Sequence, residues 1–142
     1  MEDKSIAKDA IENAKRWLSS SSANAERGNY DLAVYSLEMS MEIALKALVF
    51  SAEADIPKTH SIGDRVMKIV REDVNLSRSI GGQIEEVVHT FNSLSTLRSI
   101  SCYIYETRST LEDMRKIYEK FARETARIVG LCEKAIDPKK QI

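Results

Sequence analysis

The densest set of chemically able side chains lies in Leu97-Arg98-Ser99-Ile100-Ser101-Cys102-Tyr103-Ile104-Tyr105, spaced as Arg-x4-Tyr-x-Tyr. A guanidinium grips a phosphate through two parallel hydrogen bonds. A tyrosine hydroxyl can donate to a phosphate oxygen, and its ring can stack on a base. If this stretch is helical, Arg98 and Tyr105 are seven apart and share a face, with Tyr103 offset. The plainer alternative has the rings filling a bundle end or a dimer surface, with Arg98 in solvent. Arg108 follows closely and adds a ligand-binding cation to the candidate set of Arg98, Tyr103 and Tyr105.

Other candidates are weaker. His60 precedes a helix and could contact a phosphate or nucleotide, or simply lock its connector with a hydrogen bond. His89 sits among Val87, Val88 and Phe91 and reads as a surface or partly buried residue rather than a base. Glu38, Glu42 and Lys46 are spaced by four and share a helical face, with Glu42 and Lys46 in the favourable order for an ion pair. Carboxylates at such spacing can bind metal, but no histidine completes the set, so a solvated or interface ion pair is expected. Arg108, Arg115, Lys116, Lys120, Arg123 and Arg127, near the C-terminal helix, are interspersed with Glu112, Asp113, Glu119 and Glu124. That pattern is an ordinary charged helix face, with a modest phosphate-facing stripe as the alternative. Cys102 and Cys132 form no CxxC and are expected to be reduced and structural. The sequence has no P-loop, GxGxxG, HExxH or GxSxG, and no metal or cofactor is expected.

The elements that must position these residues are helices. Only 5 glycines and 2 prolines occur in 142 residues, too little turn chemistry for a many-stranded fold. Ile6, Ala10, Ala14, Trp17 and Leu18 form a stripe on a first helix, whose register runs through the serines at 19–22 until Gly28-Asn29 stops it. A second helix starts near Asn29–Asp31 and carries Ala33, Leu37, Met41, Ala44 and Leu48, widened by Val34, Leu45 and Val49. So broad an apolar face suits a central helix that ends near Ala54, before Pro57. Ser61 can cap a short third helix containing Ile62, Val66, Ile69 and Val70, and residues 75–79 read as a loop. A fourth helix carries Ile80, Ile84, Val87, Val88, Phe91 and Leu94, weakened at its start by Gly81-Gly82. Residues 97–110 are ambiguous, and Tyr103-Ile104-Tyr105 could be extended. Ser109 or Thr110 can cap a last helix with Leu111, Met114, Ile117, Phe121, Ile128 and Leu131, which stops before Pro138 and leaves a frayed tail at 137–142. The expectation is one all-α domain over residues 1–142, an up-and-down bundle of four main helices plus a short one.

Charge and hydropathy narrow the function. Lys and Arg number 21 against 22 Asp and Glu, which rules out a coat of phosphate-binding charge but not a local patch. No apolar run nears the roughly 20 residues that span a bilayer, and the start shows no secretory signal. No membrane association is expected, and the location expected is cytoplasmic.

The stretch from Ala25 to Leu48 resembles the HEPN family, through Gly28-x-Tyr30-x-x-Ala33 and then Glu42-x3-Lys46-Ala47-Leu48. Thr59-His60-Ser61-Ile62 is similar to that family's Thr-His connector, and Arg16-Trp17-Leu18 fits its first helix. The resemblance implies an archaeal or bacterial homodimer of four-to-five-helix bundles. It also implies a metal-independent endoribonuclease in many relatives, where an Arg-x4–6-His motif from each subunit meets across the dimer cleft. Some relatives are toxins beside a small nucleotidyltransferase antitoxin, which modifies a tyrosine in an Arg-x4-His-x-Tyr motif. Here Arg98, Tyr103 and Tyr105 match that spacing, but Tyr103 stands in the histidine's place. A tyrosine, with an ordinary pKa of about 10, is a poor base at neutral pH. The favoured reading is therefore a dimer that binds a nucleotide, RNA or a nucleotidyltransferase without efficient cleavage. A divergent endoribonuclease using Arg98 with Tyr103 or Tyr105 comes second, and a structural helical dimer third.

Overall fold

In a computed structural model the described residues are 2–52, 54–55 and 62–137. Among them every regular element is helical, and the bundle expected from the sequence is the observed fold. Helix α1 (Glu2–Glu26) turns into α2 (Tyr30–Ser51) at Gly28. Gly28 has φ +80°, the left-handed region open to a residue without a Cβ. Its N–H bonds to the Ala25 carbonyl at 3.0 Å, and the Asn29 N–H bonds to that of Asn24 at 2.9 Å. These two bonds satisfy carbonyls the helix end would leave open.

Side-chain hydroxyls fix the α1–α2 register. Ser21 Oγ donates to the Ala33 carbonyl at 2.8 Å, and Ser40 Oγ to that of Ala14 at 2.7 Å. Seven residues back along α1 match seven forward along α2, so the pair is antiparallel. Two of the serine run, Ser20 and Ser21, thus face α2, with Ser20 Oγ 3.4 Å from Ser36 Oγ. The buried face of α1 is Ala7, Ile11, Ala14 and Ser21, whose small members let the backbones approach. Ile6 was expected in this stripe but is 43% exposed, because it lies about 100° round the helix from Ala7.

Helix α2 is central: α1, α7, α6, α3 and α5 all pack on it. Ala33, Val34, Leu37, Met41, Ala44, Leu45 and Leu48 are buried to 2% exposure or less. It ends at Ser51 rather than near Ala54. Residues 56–61, including the His60 and Ser61 candidates, lie outside the described set.

Between α2 and the last helix the chain is more finely divided than its pattern suggests. α3 (Gly63–Glu72) is followed at once by α4 (Val74–Ile80), where a loop was expected at 75–79. Asp73 explains the difference: its side chain accepts the Leu76 N–H at 2.9 Å, and Leu76 and Ile80, four apart, are both buried. Ile80 therefore closes α4, and a 3-10 turn at Gly81–Gln83 leads into α5 (Ile84–Ser95), which buries Ile84, Val87, Val88, Phe91 and Leu94. Gly63 permits α3 to approach α5, since a Cβ there would sit 2.8 Å from Val88 Cγ1.

α6 (Arg98–Cys102) is a single helical turn. After it, Ile104–Glu106 form a 3-10 turn, not the extended segment considered for Tyr103-Ile104-Tyr105. α7 (Leu111–Ile136) opens with a capping box: the Asp113 N–H donates to Thr110 Oγ1 at 3.1 Å, and the Thr110 N–H to Asp113 Oδ2 at 2.9 Å. Tyr118 of α7 meets Tyr30 at the start of α2, and Glu133 pairs with Lys15 in mid-α1, so α7 runs in the same sense as α2. Residues 138–142 of the expected tail lie outside the described set. Among the described residues no helix is long and apolar enough to cross a membrane.

Candidate anion-binding site

Arg98 is the first residue of α6 and reaches back across the middle of α2. One guanidinium nitrogen, Nη1, lies 3.6 Å from Glu38 Oε2 and 3.5 Å from Glu42 Oε1. The guanidinium carbon sits 5.3 Å from the centre of the Tyr35 ring, a cation–π contact. The Trp17 ring meets Tyr35 edge-on at 6.0 Å and backs it from α1. Lys46 Nζ donates to Glu42 Oε2 at 3.1 Å. Arg98 keeps 24% of its side chain exposed, whereas the Glu38 and Glu42 side chains are 1–2% exposed.

The ion pair expected between Glu42 and Lys46 forms, but Glu38 and Glu42 are buried in the fold rather than solvated. Helix α2 is packed on nearly all sides, so the face carrying both carboxylates is covered by α6 rather than by water. The same packing overturns the solvated alternative for Arg98.

Burying two carboxylates side by side has an electrostatic consequence. Desolvation, then the negative charge of Glu42, push the Glu38 carboxyl from its ordinary 4.5 up to about 8, with Arg98 and Lys46 opposing. As a carboxylate, Glu38 has no hydrogen-bond donor at either oxygen. As a neutral acid, its own hydroxyl can donate to Glu42, which reconciles its burial with its chemistry. With Glu38 protonated, the four groups Arg98, Lys46, Glu38 and Glu42 sum to one positive charge. Cys102, one turn on from Arg98, touches the same cluster: burial raises its thiol pKa, Arg98 lowers it, and Glu38 raises it. Buried Cys132 is pushed up to about 12 by burial alone, as suits an inert core thiol.

Tyr103 and Tyr105 follow directly at the surface, 52% and 77% exposed, with their rings edge-on at 6.3 Å. Arg108 is exposed on the same stretch. The structure thus sets Arg98, Tyr103, Tyr105 and Arg108 along one short run on α6 and its exit, while His89 lies exposed on α5. The charged face of α7 is largely self-neutralised. Arg115 pairs with Glu112 and Glu119, and Arg127 with Glu124 and, across to α5, with Glu86. Those two arginines are therefore committed within the fold, against a phosphate-facing stripe. Among the described residues no three His, Cys, Asp or Glu side chains gather as a metal site would require.

Sequence reasoning missed the link between Arg98 and the Glu38–Glu42 pair, and gave Tyr35 and Trp17 no part in the site. A signal was present: Glu38 and Glu42 are embedded among Leu37, Met41 and Leu45, so a helix apolar all round had to bury them. Buried carboxylates need a cation from elsewhere in the chain.

Neither a search of curated proteins nor one of solved structures found a match. A family profile described as the HEPN domain matches residues 7–134, a span that takes in the α1–α2 hairpin, the Arg98 cluster and nearly all of α7. On that match the chain belongs to the HEPN domain family.

Proposed function

We propose that this HEPN domain acts as a homodimer that binds the phosphate of a nucleotide or RNA at Arg98, without efficient cleavage. We further propose that it does so in a toxin–antitoxin-like pairing with a small nucleotidyltransferase, in the cytoplasm. The observation that carries the reading is a partly exposed guanidinium held against the Tyr35 ring and two buried carboxyls. A preorganised arginine loses less freedom on meeting a phosphate than a mobile one. Tyr103 and Tyr105 add exposed rings and hydroxyls beside it, and Arg108 a further charge. Dimerisation would double these groups around one ligand. Tyr105, 77% exposed, is the more open of the two tyrosines to a nucleotidyltransferase. Weak catalysis follows from Tyr103, because a phenol is a poorer general base at neutral pH than the imidazole of the related motif.

The test is binding of a fluorescent oligoadenylate to the purified protein, with Arg98→Ala as control. We expect affinity that falls as salt rises, and a loss of about tenfold or more in the variant. Equal affinity in the two proteins would remove Arg98 from the site. Metal-free cutting of the RNA, abolished by Tyr103→Phe, would instead favour the divergent endoribonuclease.

A further inference from the structure

The Arg98 cluster contains one group that anion binding alone does not call for. Glu38 is fully buried, and neither of its oxygens receives a hydrogen bond. It nonetheless lies 3.6 Å from the guanidinium that is offered to the ligand. A structural partner for Arg98 already exists in Glu42, 3.5 Å from the same nitrogen and tied to Lys46. A second carboxyl at the same nitrogen is redundant as an anchor. It is a competitor with the ligand whenever it is charged.

We propose that Glu38 is a positioning residue whose proton sets how firmly Arg98 is drawn inward: the neutral acid leaves the guanidinium available to an external phosphate, and the carboxylate clamps it against α2. The inference rests on the reading of Arg98 as the phosphate ligand. The groups acting on Glu38 are Glu42 and Lys46 of its own helix and Arg98 of α6, with the Cys102 thiol of α6 also coupled to it. Among the described residues, no charge from α1, α3, α5 or α7 acts on Glu38. With Glu38 neutral, this pair of carboxyls presents Arg98 with one negative charge, that of Glu42, which Lys46 already partly compensates. With Glu38 ionised, the pair presents two, and both carboxylates are shielded from water, so their pull is stronger than at a surface. The carboxyl titrates close to neutrality, so modest changes of pH switch between the two conditions. The cluster is placed so that the proton acts through Arg98 and not on the ligand, since buried Glu38 cannot touch a bound molecule.

Two measurements test this. The first is oligoadenylate affinity from about pH 6 to about pH 9.5, a range in which the phosphodiester charge is constant. We expect the wild type to bind on the order of tenfold more weakly at the upper end. Glu38→Gln, which keeps the shape of the neutral acid, should bind at every pH as the wild type does at about pH 6. A profile equally steep in Glu38→Gln would overturn the proposal. The second is the NMR titration of the Arg98 side-chain Nε, which needs no ligand. It should move with a midpoint near 8 in the wild type and stay still in Glu38→Gln. An Arg98 signal that is static in the wild type would also overturn the proposal. If the signal moves as expected but no oligoadenylate binds at any pH, the positioning of Arg98 by Glu38 stands and its role as a phosphate ligand fails.

Discussion

Replacing Glu38 with glutamine should make the protein more stable, and increasingly so as pH rises. In the unfolded chain the Glu38 carboxyl has its ordinary value of 4.5, and in the folded protein it is pushed up to about 8. Between those values the folded state binds a proton that the unfolded state does not, so folding stability falls as pH climbs from about 4.5 to about 8 and is level beyond. At roughly 1.4 kcal/mol for each tenfold change in proton affinity, the whole displacement is worth at most about 5 kcal/mol. Arg98 is a quarter exposed and brings water to one side of the cluster, so a loss of about 2–3 kcal/mol is the reasonable expectation. Glutamine cannot ionise, and its amide can still donate to Glu42 and accept from Arg98. The two proteins should therefore have similar stability near pH 5, and the variant should lead by about 2–3 kcal/mol near pH 9, on the order of 6–10 °C in melting temperature. Urea unfolding at a series of pH values measures the difference directly. Stability curves that run parallel across this range would refute the assignment of the buried proton to Glu38.

Two further substitutions probe the scaffold. Gly63→Ala should destabilise by about 1–3 kcal/mol, because its Cβ would meet Val88 Cγ1 at 2.8 Å and push α3 from α5; an unchanged urea midpoint would contradict that close approach. Thr110→Ala removes the hydroxyl that caps α7 and should cost about 1 kcal/mol by the same measurement, with Thr110→Ser recovering most of it.

The long helices were legible from apolar residues recurring at helical spacing over several turns. The α1 stop at Gly28 and the cap of α7 at Thr110 are local chemistry, and each is where the sequence places it. The start of α4 was equally local, yet Asp73 was overlooked because only two buried residues, Leu76 and Ile80, mark so short a helix. The candidate site was half legible. Arg98, Tyr103 and Tyr105 are neighbours in sequence, so their spacing alone singles them out. The partners of Arg98 are about sixty residues earlier in the chain, and only the packing of α6 on α2 unites them. The burial of Glu38 and Glu42 could not follow from the helical spacing of charges, which looks the same on a wet face as on a covered one.

The serines that clip α2 to α1 and the carboxyls that meet α6 lie on opposite sides of one helix. Ser36 and Ser40 are one turn apart, as are Glu38 and Glu42, and the two sets are offset by two residues, about 200° of rotation. A twist of α2 by half a revolution would press carboxylates onto the Ala14 carbonyl of α1, acceptor against acceptor, and leave the guanidinium facing hydroxyls. A slide by one residue would part each hydroxyl from its carbonyl. Apolar side chains alone would tolerate several such settings, but these polar groups, with their partners on α1 and α6, admit one address for the central rod within the bundle.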